Sequence, residues 1–468
     1  MRYETLFCVS PGDIRQVLQE ALSAGGDYAD IFFEYTTSDE ILLRDRCINT
    51  VERSADYGVG IRVLKGDRTG YAYSETTDKK AMLSAARMAA AIADAGGPGE
   101  VAPHFRTIEV PDRYPVAERW DDFPLKRGGD FLLELDGRLF EASPLVKKTS
   151  CSLAFSNSRI MFANSNGESF CEERPLASVF ARVSAAKGGL QESFAFSRSF
   201  RKGSEMLTPA LMAEMMERTT GDIERQFSAI RPKGGEMAVV LAPGSSGILL
   251  HEAIGHAFEA DFNRKGISIF AGRLGEKICS EKISVVDDAT LESNRGAVGI
   301  DDEGVPGQKT YMVKEGILTS YLHDRISASH YGVEPTGNGR RESFRYPPLP
   351  RMRATYMENG QGSTQDIIKC VKKGIFVDNF TNGEVEIGAG DFTFYVKSGY
   401  LIENGHLTAP IKDVNIIGNG PRALAGITEV AADCIVDDSS WTCGKEQYCY
   451  VSCGMPGVLV DKLTVGGA

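Results

Sequence analysis

The segment His251-Glu-Ala-Ile-Gly-His256 places two imidazoles and a carboxylate within one and a half helical turns. Two histidines about one turn apart can bind one metal ion, and the adjacent Glu252 can act as a base toward water. On a regular helix, however, a spacing of five residues turns the second ring about 140° away from the first. Both rings can reach one ion only if the helix is locally widened, as in a π-bulge. The sequence therefore predicts an irregular turn, and Gly255 is the residue most able to absorb the distortion.

The sequence around this motif favours a functional site over a chance match. Only six histidines occur in 468 residues, and two of them lie in the motif. Met237–Leu241 is apolar and predicts a buried strand, and Pro243–Ser246 predicts a turn in which Ser245 or Ser246 caps the helix. A strand, turn and helix that present charged groups in the first helical turns are a common support for a site.

The composition is that of an intracellular globular enzyme. The formal charge of −12 argues against direct binding to nucleic acid, which requires a basic face. The start of the chain has no signal-peptide core, and no apolar run approaches the roughly 18 residues of a membrane span. Ten cysteines without a regular framework predict reduced thiols. We therefore expect a cytoplasmic protein with no membrane association.

The pattern of elements predicts an α+β fold in two parts, joined by the linker Arg231–Gly235. Residues 1–230 should form an N-terminal α/β-sandwich-like domain with a mixed or antiparallel sheet, with a possible subdivision near residues 96–120. Residues 231–468 should form a mostly antiparallel β domain around the His-Glu-His helix. We see no chemistry in the first half and interpret its acidic residues as solvated.

Four strands are predicted early in the first half. The last two are joined as a hairpin across Lys65–Arg68. The four segments are Tyr28–Thr36, Glu40–Arg44, Val59–Leu64 and Gly70–Ser74.

A metal site needs a third ligand, and spacing alone does not identify it. The candidates are Cys279, His323, His330, Cys370, His406, Cys434, Cys443, Cys449 and Cys453. The last three could also form a metal knot of their own, but their C-x5-C-x3-C spacing matches no recognised zinc pattern. A single cysteine is more often a small buried apolar residue than a ligand.

The whole chain resembles the TldD/PmbA family, whose members have also been described as modulators of DNA gyrase. The resemblance rests on motifs in both halves. In the first half they are Asp27–Glu34, Gly58–Val63 and Arg68–Ser74. In the second half they are His251–His256, Val285–Asp288, Asp301–Gly304, Thr336–Ser343, Pro350–Arg353, Thr442–Lys445 and Leu463–Gly467.

The resemblance implies a zinc metallopeptidase that acts on short or unfolded peptides. Carried over to this sequence, it implies that Zn²⁺ binds to His251, His256 and Cys443, with Glu252 as general base. One paralogue in the family lacks the His-Glu-His motif, so this chain resembles the catalytic subunit. It is expected to act as a homodimer or as a heterodimer with a PmbA/TldE-like partner. After Lys445 this chain departs from the family's Gly- and Val-rich pattern and carries two further thiols.

Residue type suggests further roles and leaves alternatives open. Asn338, Arg340 and Arg341 lie in a Gly-punctuated loop and could stabilise the developing oxyanion or contact the peptide backbone. A sheet edge beside the metal could hold an extended peptide as an added strand, which favours unfolded substrates. The alternatives are a non-enzymatic regulator of the gyrase-modulator type and a cysteine peptidase that uses Cys443 with a histidine.

Overall fold

The structure is a computed structural model that describes residues 3–93, 97–386 and 388–467. It confirms the α+β class, with mixed and antiparallel sheets. Residue 96, where the predicted subdivision begins, and residue 468, where the predicted C-terminal domain ends, lie outside the described residues. Residues 1 and 2 of the predicted N-terminal domain do so as well. None of the described helices combines the length and the apolar character that crossing a bilayer requires.

The α-helices are short, and only a few exceed ten residues. They are α1 (Tyr3–Leu6), α2 (Pro11–Ala21), α3 (Lys79–Ala90), α4 (Leu125–Ala142), α5 (Pro209–Thr220), α6 (Ile223–Ser228), α7 (Gly247–Leu250), α8 (Ala260–Arg264), α9 (Arg325–Tyr331), α10 (Thr364–Cys370) and α11 (Gly420–Ala425).

The first half is built on one large sheet. Its strands are β1 (Tyr28–Arg44), β2 (Cys47–Lys65), β3 (Arg68–Ser74), β4 (Arg106–Thr107), β5 (Val146–Asn164), β6 (Glu168–Lys187) and β7 (Leu190–Phe200). They lie in the order β3-β2-β1-β5-β6-β4, and β7 also pairs with β6. Helices α2 and α3 pack near β1 and β2 in one apolar cluster, while α4 and α5 pack near β5 to β7 in a second.

The predicted hairpin between β2 and β3 is present, with Lys65 opposite Arg68. The two early strands predicted at Tyr28–Thr36 and Glu40–Arg44 are instead one continuous strand, β1. The polar residues between them still pair on both sides, since Thr37 lies opposite Ala55 of β2 and Asn157 of β5. Backbone pairing with two neighbours therefore carries the strand through a segment whose side chains predict a break.

The interpretation of the acidic residues of the first half as solvated is wrong for several of them. Asp30 and Glu34 are buried in β1. Asp30 pairs with Arg62, and Arg62 also donates a 2.5 Å hydrogen bond to Glu303 of the second half. Glu34 accepts a 2.8 Å hydrogen bond from the backbone amide of Phe344. These carboxylates therefore join the two halves of the chain.

The strands of the second half form two main sheets and two short hairpin-like pairs. They are β8 (Gly235–Leu241), β9 (Val285–Asp288), β10 (Lys309–Lys314), β11 (Ile317–Leu318), β12 (Gly339–Arg340), β13 (Leu349–Pro350), β14 (Ala354–Met357), β15 (Lys373–Glu386), β16 (Asp391–Glu403), β17 (His406–Ile411), β18 (Val414–Asn419), β19 (Ile427–Val430), β20 (Ile435–Asp437), β21 (Thr442–Lys445), β22 (Gln447–Tyr450), β23 (Ser452–Met455) and β24 (Val458–Gly467).

One of the main sheets closes into a barrel. Its path is β15-β8-β24-β18-β16, and β16 pairs back onto β15. The other main sheet has the order β11-β10-β9-β14-β23-β20. Apolar residues of both sheets share one core with Leu250, Ala253, Ile254 and Phe258 of the motif segment. The mostly antiparallel sheets therefore pack around the motif helix, as the sequence predicts.

Candidate metal centre

Strand β8 leads directly into the motif, as predicted. It ends at Leu241, and α7 begins at Gly247 after a tight turn in which the amide of Gly247 donates to the carbonyl of Gly244. The predicted serine cap is wrong. The hydroxyl of Ser245 donates to the carbonyl of Asp378, and the hydroxyl of Ser246 has no hydrogen-bond partner among the described residues. Packing against neighbouring segments, rather than a side-chain cap, defines the start of this helix.

The predicted irregular turn is present. Residues His251–Gly255 form a π-helical turn, in which the backbone amide of His256 donates to the carbonyl of His251. The extra residue in this turn brings the two rings together, with centroids 5.1 Å apart and planes at 79°. With this π turn, two histidines five residues apart therefore present their rings to the same place, as two histidines four residues apart do on a regular helix.

The role predicted for Gly255 is wrong in its mechanism. Its φ of −58° and ψ of −48° are ordinary for a helix, so its backbone absorbs no unusual conformation. A Cβ atom at this position would instead lie 2.4 Å from the sulfur of Met352. The glycine is needed because another segment of the chain packs closely against the turn.

Three of the candidate ligands come together at this turn. Ligand atoms of His251, His256 and Cys443 all lie within 4.8 Å of one another, and all three residues are buried. Sγ of Cys443 is 3.2 Å from Nε2 of His256. The group contains none of the other candidates, which are Cys279, His323, His330, Cys370, His406, Cys434, Cys449 and Cys453.

The three side chains fit a metal ion chemically. His251 is only 1% exposed, yet neither of its ring nitrogens has a hydrogen-bond partner among the described residues. Such an unsatisfied buried group is costly unless a ligand completes it. Although burial opposes ionisation, the imidazoles of His251 and His256 lower the pKa of the Cys443 thiol to about 5. The thiol therefore favours the deprotonated form that metals bind.

The other two nearby cysteines have the opposite character. Burial raises the pKa of the Cys449 thiol, and it raises that of Cys453 well above the ordinary value. Both are therefore poorer candidates for a thiolate ligand than Cys443.

A buried carboxylate, which the sequence interpretation missed, orients His256. Oε2 of Glu259 lies 2.9 Å from Nδ1 of His256 and 3.0 Å from Nζ of Lys445. Burial would raise the pKa of the Glu259 carboxyl, but Lys445 and His256 hold it well below its usual range. A metal-binding histidine typically donates its second ring N–H to such a carboxylate, which leaves Nε2 free for the metal. The only indication of this role in the sequence was that Glu259 follows His256 by three residues.

Arg351 connects the elements that carry the ligands. Its guanidinium donates to the carbonyls of Cys443 at 2.8 Å and Gln447 at 2.7 Å. Its Nε lies 3.8 Å from Oε1 of Glu259. One fully buried side chain thus holds both the Cys443 hairpin and the carboxylate behind His256. No local sequence pattern identified this role.

Glu252 is the solvent-facing member of the site. Its side chain is 27% exposed, and its Oε2 lies 3.7 Å from Nε2 of His256. A carboxylate beside the ligand cluster and open to water can exchange protons with a water molecule there.

Asn338, Arg340 and Arg341, for which contacts with the oxyanion or the peptide backbone are predicted, make several hydrogen bonds within the protein. The amide of Asn338 donates to Asp287 and to the carbonyl of Arg351, and its side chain is fully buried. Arg340 donates to the carbonyls of Met352 and Tyr450, and Arg341 donates to the carbonyl of Asp302. These residues hold neighbouring loops in place.

Comparisons with known proteins agree with this picture over the whole chain. Three family models match, described as the PmbA/TldA metallopeptidase domain 1 over residues 29–93, the central domain over 118–220 and the C-terminal domain over 234–467. A metalloprotease TldD homologue of Haemophilus influenzae is 34% identical over 456 residues, covering 94% of this chain and 93% of that protein. One from Buchnera aphidicola is 33% identical over 475 residues, covering 98% and 96%.

Solved structures share the fold at low sequence identity. A candidate modulator of DNA gyrase from Bacteroides thetaiotaomicron has a TM-score of 0.77 at 19% identity, covering 98% of this chain and 99% of that one. TldE from Thermococcus kodakarensis has a TM-score of 0.75 at 19% identity, covering 97% and 100%.

The fold, the buried His-His-Cys group and the named relatives together define a metallopeptidase. The chain belongs to the PmbA/TldD metallopeptidase family.

Proposed function

We propose that this metallopeptidase uses a zinc ion held by His251, His256 and Cys443, with Glu252 as general base, to hydrolyse short or unfolded peptides. The observation that supports this most directly is the group of three buried ligand atoms within 4.8 Å of one another. Imidazole and thiolate are both ligand types that bind zinc, and three protein ligands leave a fourth position open, as in catalytic zinc sites.

In this proposal, one residue of the chain transfers protons and others position the ligands. When bound, zinc supplies a Lewis acid that makes water more acidic and polarises the scissile carbonyl. Oε2 of Glu252 takes a proton from the attacking water and returns it to the leaving amine. Glu259 keeps His256 in one orientation through Nδ1, and Lys445 and Arg351 hold Glu259 in place. The thiolate partly neutralises the cation, so we expect weaker Lewis acidity than three histidines would give.

Metal analysis combined with a peptide digest tests this proposal. The full chain is purified, its metal content is measured, and hydrolysis of a denatured protein is followed by mass spectrometry with and without a chelator. We expect about one zinc per chain, loss of hydrolysis on chelation, and recovery when zinc is added back. Full hydrolysis by the metal-free protein would contradict the proposal.

A groove reaches the hairpin that carries Cys443, on the face from which Thr442 and Tyr450 project rather than the face of Cys443. It has a volume of about 880 Å³ and runs from Val51 and Phe155 on the first sheet to Thr442 and Tyr450. Thr442 directly precedes Cys443, and Tyr450 is 44% exposed. An extended peptide can lie along such a groove, whereas the backbone of a folded domain is already paired internally.

The substrate proposal is tested with one protein in two states. A stable protein is compared in its folded form and after unfolding or cutting into peptides, at equal concentration. We expect cleavage of the unfolded material only. Equal rates for both forms would contradict it.

We further propose that the chain acts as a dimer, with itself or with a similar paralogue. Strand β3 pairs with β2 only over residues 59–65, so among the described residues the outer edge of β2 before Val59 pairs with no strand. Ile48 and Val51 are 41% and 51% exposed there. Sedimentation of the full chain, compared with Val51→Lys, tests this edge. A monomer at all concentrations, alone and with the paralogue, would contradict it.

One contact favours a second candidate, a cysteine peptidase. His256 contacts Sγ of Cys443 through Nε2 and Glu259 through Nδ1. This is the arrangement of a nucleophile, a base and a carboxylate that orients the base. However, Cys443 is only 4% exposed, which leaves little room for a peptide at its sulfur, and this scheme gives the ring nitrogens of His251 no hydrogen-bond partner among the described residues. Activity that survives chelation but not thiol alkylation would favour this candidate.

A further inference from the structure

Cys449 is a buried thiol beside the proposed metal site, and the hydrolytic scheme does not use it. In the β21–β22 hairpin it lies directly opposite Cys443. Both residues are buried, as are Lys445 and Gln447, while the intervening Gly444 and Tyr448 are exposed. Because side chains alternate along a strand, Cys443 and Cys449 project from the same face of the hairpin.

This pairing satisfies the geometry of a disulfide. Directly opposite residues of an antiparallel pair have Cα atoms about 4.5–5.5 Å apart. Disulfides usually join Cα atoms roughly 4.4–6.8 Å apart. Rotation of the two side chains, with a small approach of the two strands that brings the Cβ atoms to disulfide distance, would therefore bring the sulfurs together. Cys453 is placed differently, because it lies opposite Thr355 on one side and Asp437 on the other.

We propose that Cys443 and Cys449 form a reversible disulfide under oxidation by a peroxide, and that this removes Cys443 from the metal site. All ten cysteines are free thiols in the structure, so it represents the reduced form. The thiolate and the disulfide are alternative states of one sulfur. The disulfide itself follows from the hairpin register, while its effect on the metal rests on the proposed function.

The oxidation proceeds in two balanced steps. The sulfur of Cys443 attacks one oxygen of hydrogen peroxide, the O–O bond breaks, and a water leaves with Cys443 as a sulfenic acid. The sulfur of Cys449 then attacks the Cys443 sulfur, the S–O bond breaks, and a second water leaves as the disulfide forms. The two thiols lose two protons and two electrons, and the peroxide takes them up and is reduced to two waters.

Loss of the thiolate should release the ion. A disulfide sulfur is uncharged and a poor donor, so two imidazoles would remain as ligands. A dithiol reductant would restore both thiols by exchange and allow zinc to bind again.

Peptide mapping tests the disulfide directly. The full chain, loaded with zinc, is treated with stepwise hydrogen peroxide, its remaining thiols are alkylated, and it is digested with trypsin. Trypsin cuts after Lys445, between the two cysteines, so the disulfide joins peptide 423–445 to peptide 446–462. These peptides also contain Cys434 and Cys453, which fragmentation distinguishes. Zinc release is followed in parallel with a colorimetric chelator.

We expect the Cys443–Cys449 link to appear in step with release of one zinc, and a dithiol to reverse both. Cys449→Ser should lose the link, and Cys453→Ser should keep it. Cys449→Ala serves as a second variant, and circular dichroism checks the fold of each. Oxidation of Cys443 to sulfinic acid while Cys449 stays alkylatable would overturn the inference. If the link forms in a chain that never binds zinc, the disulfide stands and the proposed zinc function fails.

Discussion

The guanidinium of Arg351 donates a 2.8 Å hydrogen bond to the backbone carbonyl of Cys443. These two residues are 92 positions apart in the sequence. The carbonyl is on the backbone, so the contact depends on the position of the Cys443 hairpin rather than on the identity of its side chains. Arg351 is therefore a positioning residue. It holds the backbone of the proposed ligand Cys443.

Arg351→Lys should weaken metal binding while leaving the ligand set intact. Lysine retains the charge but cannot form the planar fork that reaches both Cys443 and Gln447. We expect a loss of zinc affinity of about 10–100-fold, as for other residues behind metal ligands. Competition with a chromophoric chelator measures the affinity, and Arg273→Lys, near the surface, serves as control. Unchanged affinity in both variants would contradict a positioning role.

Glu252→Gln should separate metal binding from catalysis. Glutamine has nearly the same size and polarity but cannot accept the proton from water. We therefore expect normal zinc content and a fall in peptide hydrolysis of about 100-fold or more. Metal analysis and the peptide digest are measured on the same preparation. Turnover at the wild-type rate would show that the glutamate is structural.

Cys443→Ser should empty the site, whereas Cys453→Ser should not. The serine hydroxyl is not ionised near neutral pH and is a poor zinc ligand, while Cys453 lies outside the group of three ligand atoms. Zinc content after dialysis distinguishes the two variants. If Cys453→Ser loses its zinc and Cys443→Ser retains it, Cys443 is ruled out as the third ligand.

Glu259→Gln should weaken the site through His256. The neutral amide can still accept a hydrogen bond from Nδ1, but it no longer balances Lys445 or raises the basicity of the imidazole. We expect zinc affinity to fall by about 10–100-fold. Asp261→Asn is the matched control, because Asp261 also pairs with Lys445 but does not contact His256 in any described hydrogen bond. Equal affinities in both variants would contradict the proposed role of Glu259.

Glu34→Gln should stabilise the protein in alkaline solution. Burial raises the pKa of the Glu34 carboxyl from 4.5 to about 7, despite hydrogen bonds from Phe344 and Thr36 that lower it. The protonated carboxyl favours the folded state below pH 4.5, and this contribution is lost as the pH rises through 7. The difference corresponds to stability on the order of 3 kcal/mol.

We therefore expect Glu34→Gln to unfold at a higher temperature than wild type at pH 8.5 and at a similar temperature at pH 4.5. Glu40→Gln, exposed on the same strand, is the control. A difference that does not change with pH would contradict the shifted pKa.

Part of the site could be predicted from sequence because it is local. The five-residue spacing of the histidines required a widened turn, and the structure has a π turn at that place. The reason for Gly255 could not be found this way, because it lies in the packing of Met352, almost a hundred residues further along. Glu259 lies only three residues after His256. Its role could not be inferred from that spacing, because it depends on contacts with Lys445 and Arg351, which are far away in the sequence.

The third ligand shows where local reasoning ends. Spacing left nine candidates, and the family resemblance implied Cys443, which the fold brings to His256 across 187 residues. Asn338, Arg340 and Arg341 show what residue type alone does not reveal. Their residue types predict substrate contacts, and the fold adds hydrogen bonds from their side chains to the protein's own backbone and to Asp287.

The closed barrel also determines when the site can exist during synthesis. Strand β8, which leads into the motif, pairs with β24, and β24 is the last strand of the barrel to leave the ribosome. A nascent chain that has exposed both histidines still lacks Cys443 and the strand that closes the barrel. Such long-range pairings form late in folding. The group of His251, His256 and Cys443 is therefore expected to form only after β24 has been made, so chains that stop before β24 should lack it.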